Sequence, residues 1–255
     1  MNLFWTYLTN SAHWTAPGGI TQRLSEHVVL SFAALFCAGV IAIPLGATVG
    51  HSGRGDDLPI LFAVLGRVLA PLGVLVYFAM KVGTGSGPAF FMLVLLAIPP
   101  MMSAAYTGVR LVDRQVVESA RAAGMLPNQV LREVEIPMAM PALVIGVRRA
   151  AVQVVAVAAV AGYVGAGGLG RMIIDGQSPS VHNYGEVATG GVLLAALAVA
   201  VDLLVAWFGA GLVTPGASGK LPTPKAQAVV PQPRAGAPLA AGALAGGSAA
   251  EHADR

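Results

Sequence analysis

Charge is scarce in this sequence. Of 255 residues, 15 are Lys or Arg and 12 are Asp or Glu, together 11%, against about 25% in a soluble domain. Hydrophobic residues make up 56%. A soluble domain of this length has nowhere to hide so much apolar surface, because its outside must be polar. An ordinary cytosolic enzyme, a nucleic-acid binder and a disordered chain are excluded together, and a polytopic membrane protein remains. Cysteine is nearly absent: Cys37 stands alone, which rules out an intrachain disulfide and a multi-cysteine metal site. His13, His27, His51, His182 and His252 are scattered, with no second ligand at helical spacing, so no metal site is expected. No G-x-x-x-x-G-K-[ST] string occurs, so ATP binding is not expected in this chain.

What the sequence has instead is apolar length. A membrane helix needs about 20 apolar residues to cross roughly 30 Å of hydrocarbon. Five runs qualify, at about 27–50, 61–82, 88–109, 143–166 and 187–213. They are too long for the strands of a β-barrel. The expected fold is therefore all-α, a polytopic bundle of about five transmembrane helices. Residues 1–22 hold Phe4, Trp5, Tyr7 and Trp14 among polar neighbours and lack the basic start of a signal peptide; an interfacial segment is expected there. The membrane domain then covers 23–213. Residues 214–255 are rich in Pro, Gly, Ala and Ser without any period, and read as a disordered cytoplasmic tail.

The basic residues orient the chain. With the segment between the third and fourth spans inside, Arg54, Arg67, Arg110, Arg114, Arg121, Arg132, Arg148, Arg149, Lys220, Lys225, Arg234 and Arg255 are cytoplasmic. Arg23, Lys81 and Arg171 are external. That asymmetry satisfies the positive-inside rule and puts the N-terminus outside and the C-terminus in the cytoplasm. Arginine far outnumbers lysine, and Ala, Gly and Val dominate, a composition suggesting a bacterial, high-GC coding sequence and so a bacterial plasma (inner) membrane.

One stretch is densely charged: RLVDRQVVESARAAGMLPNQVLREVEIP at 110–137. Val112, Val116, Ala120 and Ala123 recur at helical spacing before Gly124. Val130, Leu131 and Val134 do so after it. Two short amphipathic helices bent at Gly124 are expected, with Pro137 ending or kinking the second. Their apolar stripe needs a partner.

These residues resemble the cytoplasmic signature of ABC importer permeases, which is Glu-Ala-Ala, three residues, Gly, nine residues, then Ile-x-Leu-Pro. Here Glu118-Ser119-Ala120 precede Gly124 by that spacing, and Val134-Glu135-Ile136-Pro137 follow it. The resemblance extends over most of residues 20–213. It is strongest to permeases of the glycine betaine, carnitine, choline and proline betaine group, through EHVVLSFAAL (26–35), IPLG (43–46), YTGV (106–109), IPMAMPALVIGVRRAAVQ (136–153) and GAGGLG (165–170). Many relatives carry Arg-Asn-Thr where Ser103, Ala104 and Ala105 stand here. The resemblance implies a type I importer permease. ATP and Mg²⁺ would sit on two copies of a partner ATPase, beside a second permease subunit, identical or homologous, and an extracytoplasmic binding protein. It also implies that Glu118, Ala120, Ala123, Gly124, Val134 and Pro137 form the ATPase-coupling segment. A related importer, for example for methionine, is the nearby alternative.

Other signals have plainer explanations. GAGGLG satisfies G-x-G-x-x-G but follows a membrane run rather than a strand, so a close-packed turn is expected and not a dinucleotide site. Asp202 is the only carboxylate deep in a span, and Gln153 lies early in the fourth. Either belongs on the substrate path or makes a structural hydrogen bond. Pro99-Pro100 should kink the third span. A membrane-embedded hydrolase would need a nucleophile and a base together, and Ser31 and Ser103 read as lacking a histidine in their own or a facing segment. Such an enzyme would also leave the 118–137 pattern unexplained, and a passive channel or assembly scaffold, the third class, predicts uptake independent of ATP.

Overall fold

The computed structural model describes residues 2–53, 61, 64, 70–178 and 183–212, and their regular structure is helical. In chain order these are α1 (Asn2–Thr9), α2 (Ser11–Thr15), α3 (Ile20–Ser52), α4 (Pro71–Val82), α5 (Ser86–Arg110), α6 (Arg114–Ala122), α7 (Ile136–Ala158), α8 (Gly168–Gly176) and α9 (Tyr184–Leu212). Among the described residues, four stretches are long and apolar enough to cross a membrane: Ser11–Ser52, Ser86–Arg110, Pro127–Val164 and Tyr184–Gly211. They match the first, third, fourth and fifth predicted spans. The 12-residue α4 is the described end of the second span. Most of the rest of that span lies outside the described residues, as do Arg54, Arg67, His182 and the tail at 214–255.

The bundle is organised by small residues. On α3, Ala34, Ala38 and Ala42 recur every fourth position and are fully buried against α5 and α7. The opposite face of α3 carries Val29, Phe32, Phe36 and Val40, all more than half exposed, as suits a lipid-facing stripe. Apolar chains gain little by leaving lipid for one another, so close backbone packing must hold such helices together. The glycines show this. A Cβ on Gly46 would lie 2.5 Å from the carbonyl oxygen of Met102, and one on Gly146 would overlap the Cβ of Ala104. α5 therefore presses against α3 on one side and α7 on the other. Among its buried positions, Met92, Leu93, Leu96, Met101 and Met102 fill the spaces between. Pro99 and Pro100 lie within α5.

The end of the bundle formed by the start of α3 and by α8 is fastened by polar contacts. After α7 the chain tightens into a 3₁₀ turn at Ala159–Val164, and Gly165, Gly167 and Gly168 take positive φ values of 78°, 78° and 73°. The Glu26 carboxylate accepts a hydrogen bond from the Gly168 N–H (3.0 Å), at the start of α8. A carboxylate there satisfies an orphan donor and complements the helix dipole. A Cβ at Gly167 would fall on that carboxylate, and one at Gly170 on the carbonyl of Ala159. GAGGLG is thus the close-packed turn expected from its context. Arg23 on α3 pairs with Asp175 on α8 at 2.9 Å, and Arg171 pairs with the same carboxylate at 2.8 Å. The N-terminal segment folds over this end, with the Trp14 indole donating to the Leu8 carbonyl (2.8 Å).

Candidate coupling segment and groove

Asp113 starts α6 as its N-cap, its side chain accepting from the Gln115 N–H at 2.9 Å. Gly124 ends the turn that follows. Its φ is +89°, the Gly124 N–H donates to Arg121, and the Met125 N–H donates to Ala120. That pair of bonds is a Schellman motif with glycine in its left-handed position. No side chain of α6 is buried. Glu118, Ala123 and Gly124 are exposed, and Ala120 is half-buried. Val116 and Leu126 add apolar surface, 39% and 65% exposed.

After Gly124 the structure departs from the expected second helix. Pro127–Gln129 form one turn, Val130–Glu135 continue as a π-helix, and the chain enters α7 without a break. Pro137 does not end it. In an α-helix the ring of Pro137 would strike the carbonyl four residues back and its missing N–H would leave a gap. The π-turn widens the helix by one residue there, and the Ile136 N–H donates to Leu131. The second half of the segment is therefore a continuation of the fourth span. Val134, half-buried, and Pro137, exposed, lie on the same continuous rod as the membrane portion.

A charged contact missed by pattern reading anchors this rod. Glu135, 5% exposed, meets His51 Nδ1 at 2.6 Å, joining the end of α3 to the π-turn. The two lie 84 positions apart in the chain, and nothing local announces the pair.

The faces of α5 and α7 that meet at Gly146 open into a groove of about 390 Å³. From α5 come Leu96, Pro99, Pro100, Ser103, Ala104 and Thr107. From α7 come Ala142, Ile145, Gly146, Arg149 and Gln153. Gln153 is thus a wall of the groove. Asp202 is not: its carboxylate accepts from Nε and Nη2 of Arg148, which bridges α7 to α9. The two residues expected near the substrate path lie on different sides of α7. Among the described residues no group of three His, Cys, Asp or Glu could hold a metal. His27 does share α3 with Ser31, one turn before it, contrary to the expectation that no histidine shares that segment. Its Nε2 lies 3.0 Å from the Val155 carbonyl, however, while the Ser31 hydroxyl has no hydrogen-bond partner. They do not form a nucleophile–base pair.

Comparison with known proteins agrees with this arrangement. Residues 30–214 match the family model described as binding-protein-dependent transport system inner membrane component. The carnitine transport permease protein OpuCD of Listeria monocytogenes serotype 1/2a is 31% identical over 201 residues, covering 79% of this chain and 87% of that protein. The osmoprotectant import permease protein OsmY of Salmonella typhimurium is 32% identical over 187 residues, covering 72% and 78%. Among solved structures, the MetNI methionine ABC transporter in an inward-facing conformation superposes with a TM-score of 0.69 at 22% identity. It covers 81% of this chain and all of that one.

Proposed function

Because the chain belongs to the family of binding-protein-dependent transport system inner membrane components, we propose that it forms the translocation path of an ATP-driven importer for a quaternary ammonium osmoprotectant such as glycine betaine, proline betaine, choline or carnitine. It is a transport subunit and not an enzyme, and its family implies an ATPase and a substrate-binding protein as partners. The observation that carries the proposal is the coupling segment: a rigidly capped helix with no buried side chain, joined through Gly124 to a rod that continues into the membrane. Such a surface has no use within this chain and fits a groove on a partner. The choice of solute is supported by the solutes for which the relatives are named; the likeness to the methionine transporter carries the fold alone.

In this scheme ATP and Mg²⁺ belong to two partner ATPase subunits. Glu118 meets a polar or basic patch there, Ala120 and Ala123 permit close packing, and Gly124 sets the bend. Val134 and Pro137 transmit displacement, because the π-turn and α7 move as one rod. The groove containing Gln153 faces a second permease subunit, identical or homologous, and the path runs between them. Asp202 holds Arg148 rather than the solute. The segment 110–137 and the C-terminus are cytoplasmic and the N-terminus external. ATP favours one helix arrangement and hydrolysis releases it, so alternating access follows from differential binding.

The test is growth. A host lacking osmoprotectant uptake, given this permease with its ATPase and binding protein, should grow in high-salt medium when glycine betaine is supplied. Failure with all four solutes, together with rescue of a methionine auxotroph, would replace the osmoprotectant by methionine.

A further inference from the structure

We infer that Arg149 is the group by which the groove recognises a carboxylate, so that the solute is a zwitterion such as glycine betaine or carnitine and not the simple cation choline. This rests on the osmoprotectant reading above and narrows it. Arg148 and Arg149 are adjacent, and Arg149 stands about 9 Å along the helix from the start of the apolar run at 143. Neighbouring helical positions point about 100° apart, and the two guanidinium groups meet different surroundings. Arg148 is neutralised by Asp202. Arg149 lines the groove, and among the described residues no carboxylate pairs with it. A cation at this depth is costly unless it faces a wet cavity or a counter-charge.

The rest of the lining decides the sign of the ligand. Ser103, Thr107 and Gln153 are neutral, and the remaining walls are apolar. No acid and no aromatic ring lines the groove. Quaternary ammonium groups are held by aromatic faces or by acids, and neither is available. A planar guanidinium instead matches a carboxylate through two parallel hydrogen bonds. Glycine betaine and choline share the trimethylammonium head and differ at the other end, where betaine has a carboxylate and choline a hydroxymethyl group. Arg149 is placed to read that difference.

The experiment uses the complete importer in proteoliposomes, with the binding protein's affinity for each solute measured separately. Arg149→Gln should lower the maximal import rate of glycine betaine roughly ten- to hundredfold, the usual worth of a charged hydrogen bond. Copurified ATPase should match that of the unaltered importer, which separates lost recognition from lost assembly. Arg149→Lys, which keeps the charge and loses the fork, should fall between. The choline-to-betaine import ratio should rise at least about tenfold in Arg149→Gln. Betaine import at the unaltered rate, an equal loss for both solutes, or an unaltered importer that moves choline as fast as betaine would overturn the inference. If the unaltered importer moves methionine and neither osmolyte, the osmoprotectant function fails. The same ratio is then read on methionine against methioninol, where an unchanged value overturns the role of Arg149.

Discussion

Gly124 separates a conformational requirement from a steric one. A Cβ at this position would meet nothing within 4 Å, so the space is open. The constraint is the backbone: φ is +89°, where an L side chain costs about 1–2 kcal/mol. Gly124→Ala should therefore leave the bundle intact and disfavour the bent turn by about that amount. Converted to populations, the ceiling on weakened ATPase docking is roughly five- to thirtyfold. Asn tolerates left-handed backbone better than other side chains, so Gly124→Asn should recover part of the loss. The assay is titration of the ATPase onto permease in nanodiscs, with thermal unfolding of the free permease as the control. The expected order of affinity is Gly, then Asn, then Ala, at nearly equal thermal stability. Ala binding as tightly as Gly would refute the requirement for a left-handed turn. A large fall in thermal stability would show that the turn supports the bundle.

Three further outcomes follow from the packing. Gly146→Ala forces a Cβ onto Ala104 and should destabilise the α5–α7 crossing by about 1–3 kcal/mol in thermal unfolding, with Ala104→Gly in the same chain recovering most of it. His51→Ala strands the buried Glu135 carboxylate and should cost about 3 kcal/mol; replacing both residues with leucine should cost less, and equal losses would show the pair to be unimportant. Asp202→Asn leaves Arg148 without its counter-charge, so folded yield should fall while import per folded molecule stays constant. A changed apparent affinity for solute at normal yield would return Asp202 to the substrate path.

The spans were legible because long apolar runs such as 27–50, with no Asp, Glu, Lys or Arg, and 187–213, with Asp202 alone, are set by the solvent and not by partners. The bend at Gly124 was legible because a Schellman motif depends on a few consecutive residues. The continuity of 127–164 was not: Pro137 reads as a breaker, and only the π-turn before it explains how the helix continues. Residue type marked Asp202 as costly in a span but could not say that Arg148 stood opposite, since that pairing needs α7 and α9 placed side by side. The same holds for His51 with Glu135. The groove is assembled from two faces of α5 and α7, and its cation, Arg149, was legible only as one of a count of cytoplasmic-side charges. Its separation from Arg148 comes from the helical turn between them.

The central claim is that this chain moves a solute because an ATPase drives it through residues 110–137. The direct measurement is accumulation of radiolabelled glycine betaine in proteoliposomes holding the permease, ATPase and binding protein, with ATP or a non-hydrolysable analogue on the ATPase side. Accumulation against a gradient with ATP, abolished by the analogue and by Gly124→Asp, is the predicted result. Equal uptake with and without hydrolysable ATP would contradict the account and make the chain a passive channel.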